Sequence, residues 1–310
     1  MPVLRANGIE IAYETAGDPS GPPLLLVMGL GMQLIDWPDD FVAGLLEQGF
    51  YVIRYDNRDS GLSTKFDHVG KPSLAMCLLK RLVRWPLRSP YALDDMASDA
   101  LCLLTELGVV RAHIVGASMG GMIAQILAAR HPQRVLSLTS IMSTSGRAHL
   151  PGPKPHARRV LLRRPRSRPG RGLDGIAEHL MHTLTTIGSP AYPTPPRILR
   201  ERVLRSLKRN CCPGGDLRQL LAIVCAADRT ELLRSIKAPT LVIHGAADPL
   251  VPAAGGVDTA ALVPGARLEI IEGMGHDLPP QLIERLLALI EAHAHGKMEV
   301  DSTARLFVKQ

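Results

Sequence analysis

Aromatic residues are scarce: Phe, Trp and Tyr together make up 4% of the 310 residues, although 46% are hydrophobic. A core of that size must therefore be built from Leu, Val, Ile, Ala and Met. Long apolar runs are missing too. Stretches such as Leu24–Met28 and Leu101–Leu104 have the length of a buried strand or helix face, far short of the roughly 20 residues a spanning helix needs. This excludes stable membrane insertion. The N-terminus, Met-Pro-Val-Leu-Arg-Ala-Asn-Gly, lacks the charged region, apolar run and small-residue cleavage site of a secretory signal, and a cytoplasmic enzyme is expected. The five cysteines (Cys77, Cys102, Cys211, Cys212 and Cys225) are odd in number and form no CxxC pair. Neither a disulfide framework nor a zinc site is expected. Acidic residues are absent between Lys154 and Arg171, where the chain carries Lys154, Arg158, Arg159, Arg163, Arg164, Arg166, Arg168 and Arg171. This run accounts for much of the net charge of +7. No aromatic residue is interleaved for base stacking, so it reads as a solvated face rather than a nucleic-acid site.

What is present is an alternation of strand and helix signals. Val3–Arg5 and Ile9–Tyr13 flank Asn7-Gly8, a hairpin signal. Leu24–Met28 is continuous and apolar, as in a strand covered on both faces. Tyr51–Tyr55, His113–Val115, Val135–Ile141, Thr240–His244 and Arg267–Ile271 also read as strands. Helical spacing marks Asp39–Gln48, Leu93–Leu107, the segment from Met119 to Leu127, Ala253–Leu262 and Pro279–His293. Strands alternating with helices imply crossovers and a mostly parallel sheet flanked by helices, an α/β fold. The alternation breaks between 146 and 232, where the chain turns Pro- and Arg-rich and then helical. Residues 1–145 and 233–295 are expected to form the core, 146–232 an inserted helical cap, and 296–310 a tail.

The chemistry-bearing motif is Gly116-Ala117-Ser118-Met119-Gly120, a G-x-S-x-G between the strand ending at Val115 and a helix starting near Met119. A turn this sharp strains the Ser backbone, and the flanking glycines leave room for it. It also holds the hydroxyl at a helix N-terminus, where negative charge is favoured. An alcohol needs a base near neutral pH. Among eleven histidines, His276 alone sits in a Gly-rich loop, Glu272–His276, directly after a strand. His244 lies within a strand run and reads as packed, whereas His113, His131, His293 and His295 fall on element ends or the tail. The third group must be a carboxylate that fixes the imidazole. Asp248 follows a strand in His244–Pro252, whereas the alternative place, one strand earlier at Met142-Ser143-Thr144, offers none. Ser118, Asp248 and His276 are therefore the expected catalytic residues. The backbone N–H of Met119 and that of Leu30, with Gly29 or Gly31 as fallback, are the expected oxyanion donors.

With these residues in hand, the sequence resembles the α/β-hydrolase superfamily over residues 5–145 and 235–295. Asp56-Asn57-Arg58-Asp59-Ser60-Gly61-Leu62-Ser63 is similar to the D-x-R-x-x-G-x-S turn common in that superfamily, and the chain order Ser, Asp, His is the superfamily's. Met28 stands where the usual oxyanion loop has His. That variant, with Trp37-Pro38 and Arg54–Ser63, looks most like the aclacinomycin methylesterase-type branch. The resemblance implies a serine esterase that cleaves a carboxylic ester through an acyl-enzyme, without a metal or organic cofactor. It also makes the insert a cap that sets substrate choice. Leu180, Met181, Leu184 and Ile187 would either line its pocket or pack it onto the core, and an apolar small-molecule ester is the expected substrate. A lactonase, thioesterase, C–C hydrolase or cofactor-free haloperoxidase/perhydrolase would use the same triad. A dehalogenase is disfavoured, because it would need Asp where the chain has Ser118. A non-catalytic ligand receptor of this fold is the alternative from another class. The oligomeric state is not legible.

Overall fold

Asn7 and Gly8 adopt φ of 49° and 76°, the pair of positive values that a two-residue hairpin turn of the favoured hand requires. They join β1 (Val3–Ala6) to β2 (Ile9–Ala16) in antiparallel register. The computed structural model describes residues 1–71, 87–162 and 172–296. From β3 (Pro23–Val27) the chain crosses through α1 (Asp39–Glu47) to β4 (Tyr51–Tyr55), which pairs with β2 and, in parallel, with β3. Helix α2 (Leu93–Glu106) leads to β5 (Ala112–Ala117), and α3 (Met119–Arg130) leads to β6 (Val135–Ile141). The sheet closes with β7 (Thr240–Gly245) and β8 (Arg267–Ile271), giving the order β1-β2-β4-β3-β5-β6-β7-β8, parallel from β4 onward.

The continuous apolar run in β3 is explained by helices on both sheet faces. Leu25 and Val27 join a core with Met96, Leu103 and Ile123 of α2 and α3. Leu24 and Leu26 point the other way, to Phe41 and Leu45 of α1 and to Leu286 and Ile290 of the last helix, α10 (Ile283–Ala294). Each fully buried Leu here contributes roughly 1.5–3 kcal/mol. Pro279 and Pro280 lack N–H groups, so the expected helix from Pro279 begins as a 3-10 turn at Pro280–Leu282.

Between β6 and β7 lie α4 (Pro155–Leu162), α5 (Gly172–Ile187), α6 (Pro196–Arg209), α7 (Pro213–Cys225) and α8 (Thr230–Arg234); α9 (Ala254–Leu262) follows β7. Leu180, Met181 and Leu184, with Ala177 of the same helix, pack α5 on Val203 and Leu207 of α6. They fasten α5 to α6 within the insert, a contact the sequence did not single out. His113 also differs from its expected place at an element end. It lies inside β5, buried, with Nδ1 2.8 Å from Ser137 Oγ, and burial, aided by nearby cationic groups, pushes its imidazole down to about 4. Lys154, Arg158 and Arg159 of the basic run are exposed; Arg163, Arg164, Arg166, Arg168 and Arg171 lie outside the described residues, as do Cys77 and the tail beyond 296. Cys102, Cys211 and Cys212 are free thiols. Among the described residues, no helix is long and apolar enough to cross a membrane.

Candidate active site

Strand β5 ends in a turn where Ser118 takes φ 56° and ψ −118°, a conformation that costs a non-glycine residue on the order of 1–3 kcal/mol. The turn is held from the next strand, Ser118 N–H donating to Ile141 O at 2.9 Å. Gly120 makes the geometry possible: a Cβ there would stand 2.0 Å from Val27 O. Only glycine lets α3 start this close to β3, with its first N–H groups beside the Ser118 hydroxyl.

Two loops at the same sheet end supply the partners. His276, on the loop after β8, places Nε2 3.0 Å from Ser118 Oγ and Nδ1 2.7 Å from Asp248 Oδ2. These partners fix the tautomer, with Nδ1–H donating to the carboxylate and Nε2 free to accept. Asp248 is 1% exposed on the turn after β7. Its Oδ1 accepts N–H bonds from Leu250 and Val251, each at 2.8 Å. Burial works against its charge. The charge of His276, hydrogen bonds from His244 and His276, and the Val251 N–H outweigh that and hold the carboxyl down at about 2. His244 is buried in β7, as its strand setting suggested. It has a second part that the sequence did not show: Nε2 lies 2.8 Å from Val251 O and 3.5 Å from Asp248 Oδ2, steadying the acid's turn.

The fourth loop follows β3 and lies against Ser118: a Cβ on Gly29 would stand 3.2 Å from Ser118 Cβ. Met32 N–H donates to Gly29 O at 3.3 Å, closing a four-residue turn. Gly31 N–H, one of the fallback oxyanion donors, is engaged elsewhere, donating to Gln219 Oε1 at 2.8 Å. Among the described residues, the N–H groups of Leu30 and Met119 have no protein acceptor.

The Asp56–Ser63 turn acts as a bracket for this loop. Asn57 Nδ2 donates to Met28 O (2.9 Å), Ser60 Oγ to Met32 O (2.7 Å), and Asp56 Oδ1 accepts Leu34 N–H (2.8 Å). The Asn57 amide, donating to the Met28 carbonyl, thus supports the loop at Met28, where the resemblance leads one to expect His. The bracket is itself held by the fully buried pair Arg218–Asp59, bidentate at 2.7 and 2.8 Å. Arg218, Gln219 and Ser189 were not anticipated as site residues. The available signal was two adjacent polar residues, Arg218-Gln219, inside an otherwise apolar helical run ending in Leu-Leu-Ala-Ile-Val. A separate cavity of about 430 Å³, lined by Pro90, Asp94, Arg130, Ala226 and Arg229 among others, involves none of the Ser118, Asp248 or His276 side chains.

Asp36, beside the same loop, yields a pH prediction. Burial pushes its carboxyl up to about 6, against hydrogen bonds from Gln33 N–H (2.6 Å) and the Ser206 hydroxyl (3.3 Å) and the charge of Arg205. A carboxyl raised above its unfolded value of about 3.9 favours the fold below that value and loses this contribution as pH rises through 6. Asp36→Asn removes the titration. The melting temperature of the variant relative to wild type is therefore expected to rise between pH 4 and pH 7.5. An unchanged difference would show that Asp36 does not titrate in this window.

Fold and site together define the class. Residues 22–280 match the alpha/beta hydrolase fold family, and the chain belongs to that family. Over 96% of its length it is 30% identical to the rhodomycin D methylesterase DnrP of Streptomyces peucetius, covering 99% of that protein. It is 27% identical to a non-heme haloperoxidase of Rhodococcus erythropolis, over 90% of this chain and 93% of that one. A meta-cleavage product hydrolase from Pseudomonas fluorescens superposes with a TM-score of 0.72 at 18% identity, covering 96% of this chain and 98% of that one, a likeness of fold.

Proposed function

We propose that the chain is a serine esterase, cleaving a carboxylic ester of a small or medium apolar substrate through an acyl-enzyme. The observation that carries this reading is the hydrogen-bonded line from Ser118 Oγ through His276 to Asp248, set at a strained strand-to-helix turn. His276 Nε2 takes the Ser118 proton as Oγ attacks the ester carbonyl. Asp248, anionic throughout the working pH range, holds the imidazole and stabilises the imidazolium. The N–H groups of Met119 and Leu30 receive the oxyanion. His276 then protonates the leaving alcohol, water repeats the sequence, and the acid departs. The helices between β6 and β7 act as the cap. Leu30 and Met32, partly buried on the loop against Ser118, support an apolar substrate, and the methylesterase relative makes a methyl ester the first candidate.

The test is turnover of methyl esters and of p-nitrophenyl esters of graded acyl length. Expected are hydrolysis, an initial burst of p-nitrophenol from acylation, and covalent labelling of Ser118 by a fluorophosphonate. Labelling without turnover of any ester would exclude simple esterase action and turn attention to lactones, thioesters and C–C substrates. The absence of both labelling and turnover would sink the reading.

A further inference from the structure

Leu30 N–H can receive an oxyanion only if the Gly29–Met32 turn keeps one shape. Gly31, its third residue, has φ +70°, while Leu30 is absent from the left-handed region. That combination is a type II turn. Glycine at the third position suits that form, but Leu30 N–H lies on the preceding Gly29–Leu30 peptide, so its aim depends on where the whole turn is held.

The turn is held from α7. The Gln219 side chain, 0% exposed, accepts Gly31 N–H at 2.8 Å and donates from Nε2 to Arg58 O at 2.7 Å. One partner is a donor and the other an acceptor, so the reversed amide would set N–H against N–H and oxygen against oxygen. Its orientation is fixed, and a turn that shifted away from α7 would leave this buried acceptor unpaired. The neighbouring Arg218 clamps the same helix to Asp59, and Gln33, just past the turn, donates to Ser206 O (2.8 Å) and Asn210 O (3.0 Å) of the insert.

We propose that Gln219 is a positioning residue: the insert, through its side chain, ties the oxyanion turn to α7 and to Arg58 O and so keeps Leu30 N–H facing the reacting carbonyl. This rests on the serine-esterase reading. Gln219 touches no reacting atom and acts through the turn.

The experiment compares wild type with Gln219→Met, which keeps the volume and removes the acceptor. Steady-state kinetics are measured on the best ester, together with inhibition by an alkyl boronic acid, whose Ser118 adduct carries the tetrahedral anionic oxygen. Loss of alignment of one donor is expected to lower kcat by on the order of 10- to 100-fold. Boronate affinity should weaken by a similar factor while KM stays within about threefold. Gln219→Glu keeps an acceptor for Gly31 N–H and is expected to lose less in both measures. A merely structural role would lower the melting temperature and the amount of active enzyme without moving kcat per labelled site and boronate affinity together. The proposal is overturned if kcat stays within threefold, or falls with boronate affinity unchanged. Should Gln219→Met not fold, the same two measurements on Gln219→Asn, whose amide is one methylene too short to span Gly31 N–H and Arg58 O, decide: a parallel loss with KM held supports the assignment, and no loss or a change in KM alone overturns it. A wild type that neither hydrolyses esters nor labels would instead fail the esterase reading itself, before Gln219 is at issue.

Discussion

Ser118→Ala is expected to lower kcat/KM for every ester the wild type hydrolyses by roughly a thousand-fold or more. The loss should fall on kcat. The hydroxyl contributes little to ground-state binding, and KM should stay within a fewfold. Its removal leaves His276 and Asp248 paired at 2.7 Å but with nothing to activate except water. The proposed oxyanion donors, being backbone groups, persist and should sustain a small residual rate. Folding should be preserved. The turn is held by the backbone bond from Ser118 N–H to Ile141 O, which Ala keeps. The check is kcat/KM per folded molecule together with fluorophosphonate labelling. A variant retaining a tenth of the activity would mean that another group is the nucleophile.

The second large effect is on stability. Arg218→Met is expected to cost about 3–5 kcal/mol of unfolding free energy, the penalty for stranding a buried charge. Asp59 is fully buried. Besides both Arg218 bonds it accepts Tyr91 O–H at 2.6 Å and Phe66 N–H at 2.8 Å. Burial works to raise its carboxyl, and the bonds from Arg218, Tyr91 and Phe66 bring it below the ordinary carboxylate range. Without the guanidinium that balance reverses. Adding Asp59→Asn to Arg218→Met should recover part of the loss. Asn tolerates the left-handed φ of 67° at this position, still accepts Phe66 N–H, and carries no charge to strand. Urea denaturation of the two variants and wild type gives the comparison through their midpoints. A double variant no more stable than Arg218→Met alone would show that the damage is lost packing and not an unpaired charge.

The strands and the Ser118, Asp248 and His276 loops were legible because their signals are local. Tyr51–Tyr55, Val135–Ile141 and Arg267–Ile271 are bounded in the sequence as they are in the sheet. The G-x-S-x-G glycines, the Gly-rich loop before His276 and the turn around Asp248 each declare a special backbone within a few residues. The supporting residues were not legible, since their meaning lies in distant partners. Gln219 is 188 residues from Gly31, Arg218 is 159 from Asp59, and Ser189 is 86 from Gly275. The partner of the apolar face of α5 was not legible for the same reason. Helical spacing shows that Leu180, Met181 and Leu184 face something apolar, but it does not distinguish a pocket from the neighbouring helix that in fact receives them.

The insert is fastened to both halves of the machinery. His276 N–H donates to Ile187 O at 2.8 Å and Gly275 N–H to Ser189 Oγ at 2.8 Å, while Gln219 holds Gly31. Such an insert is not an exchangeable module. A chimera that grafted a relative's helices between β6 and β7 would discard the fastenings of the base and of the oxyanion turn along with the old substrate contacts. It would lose rate before it could show a new preference. Divergence of substrate range in this chain is therefore expected through point changes on those parts of the insert that carry none of these fastenings, a small territory for natural drift and a practical map for directed evolution.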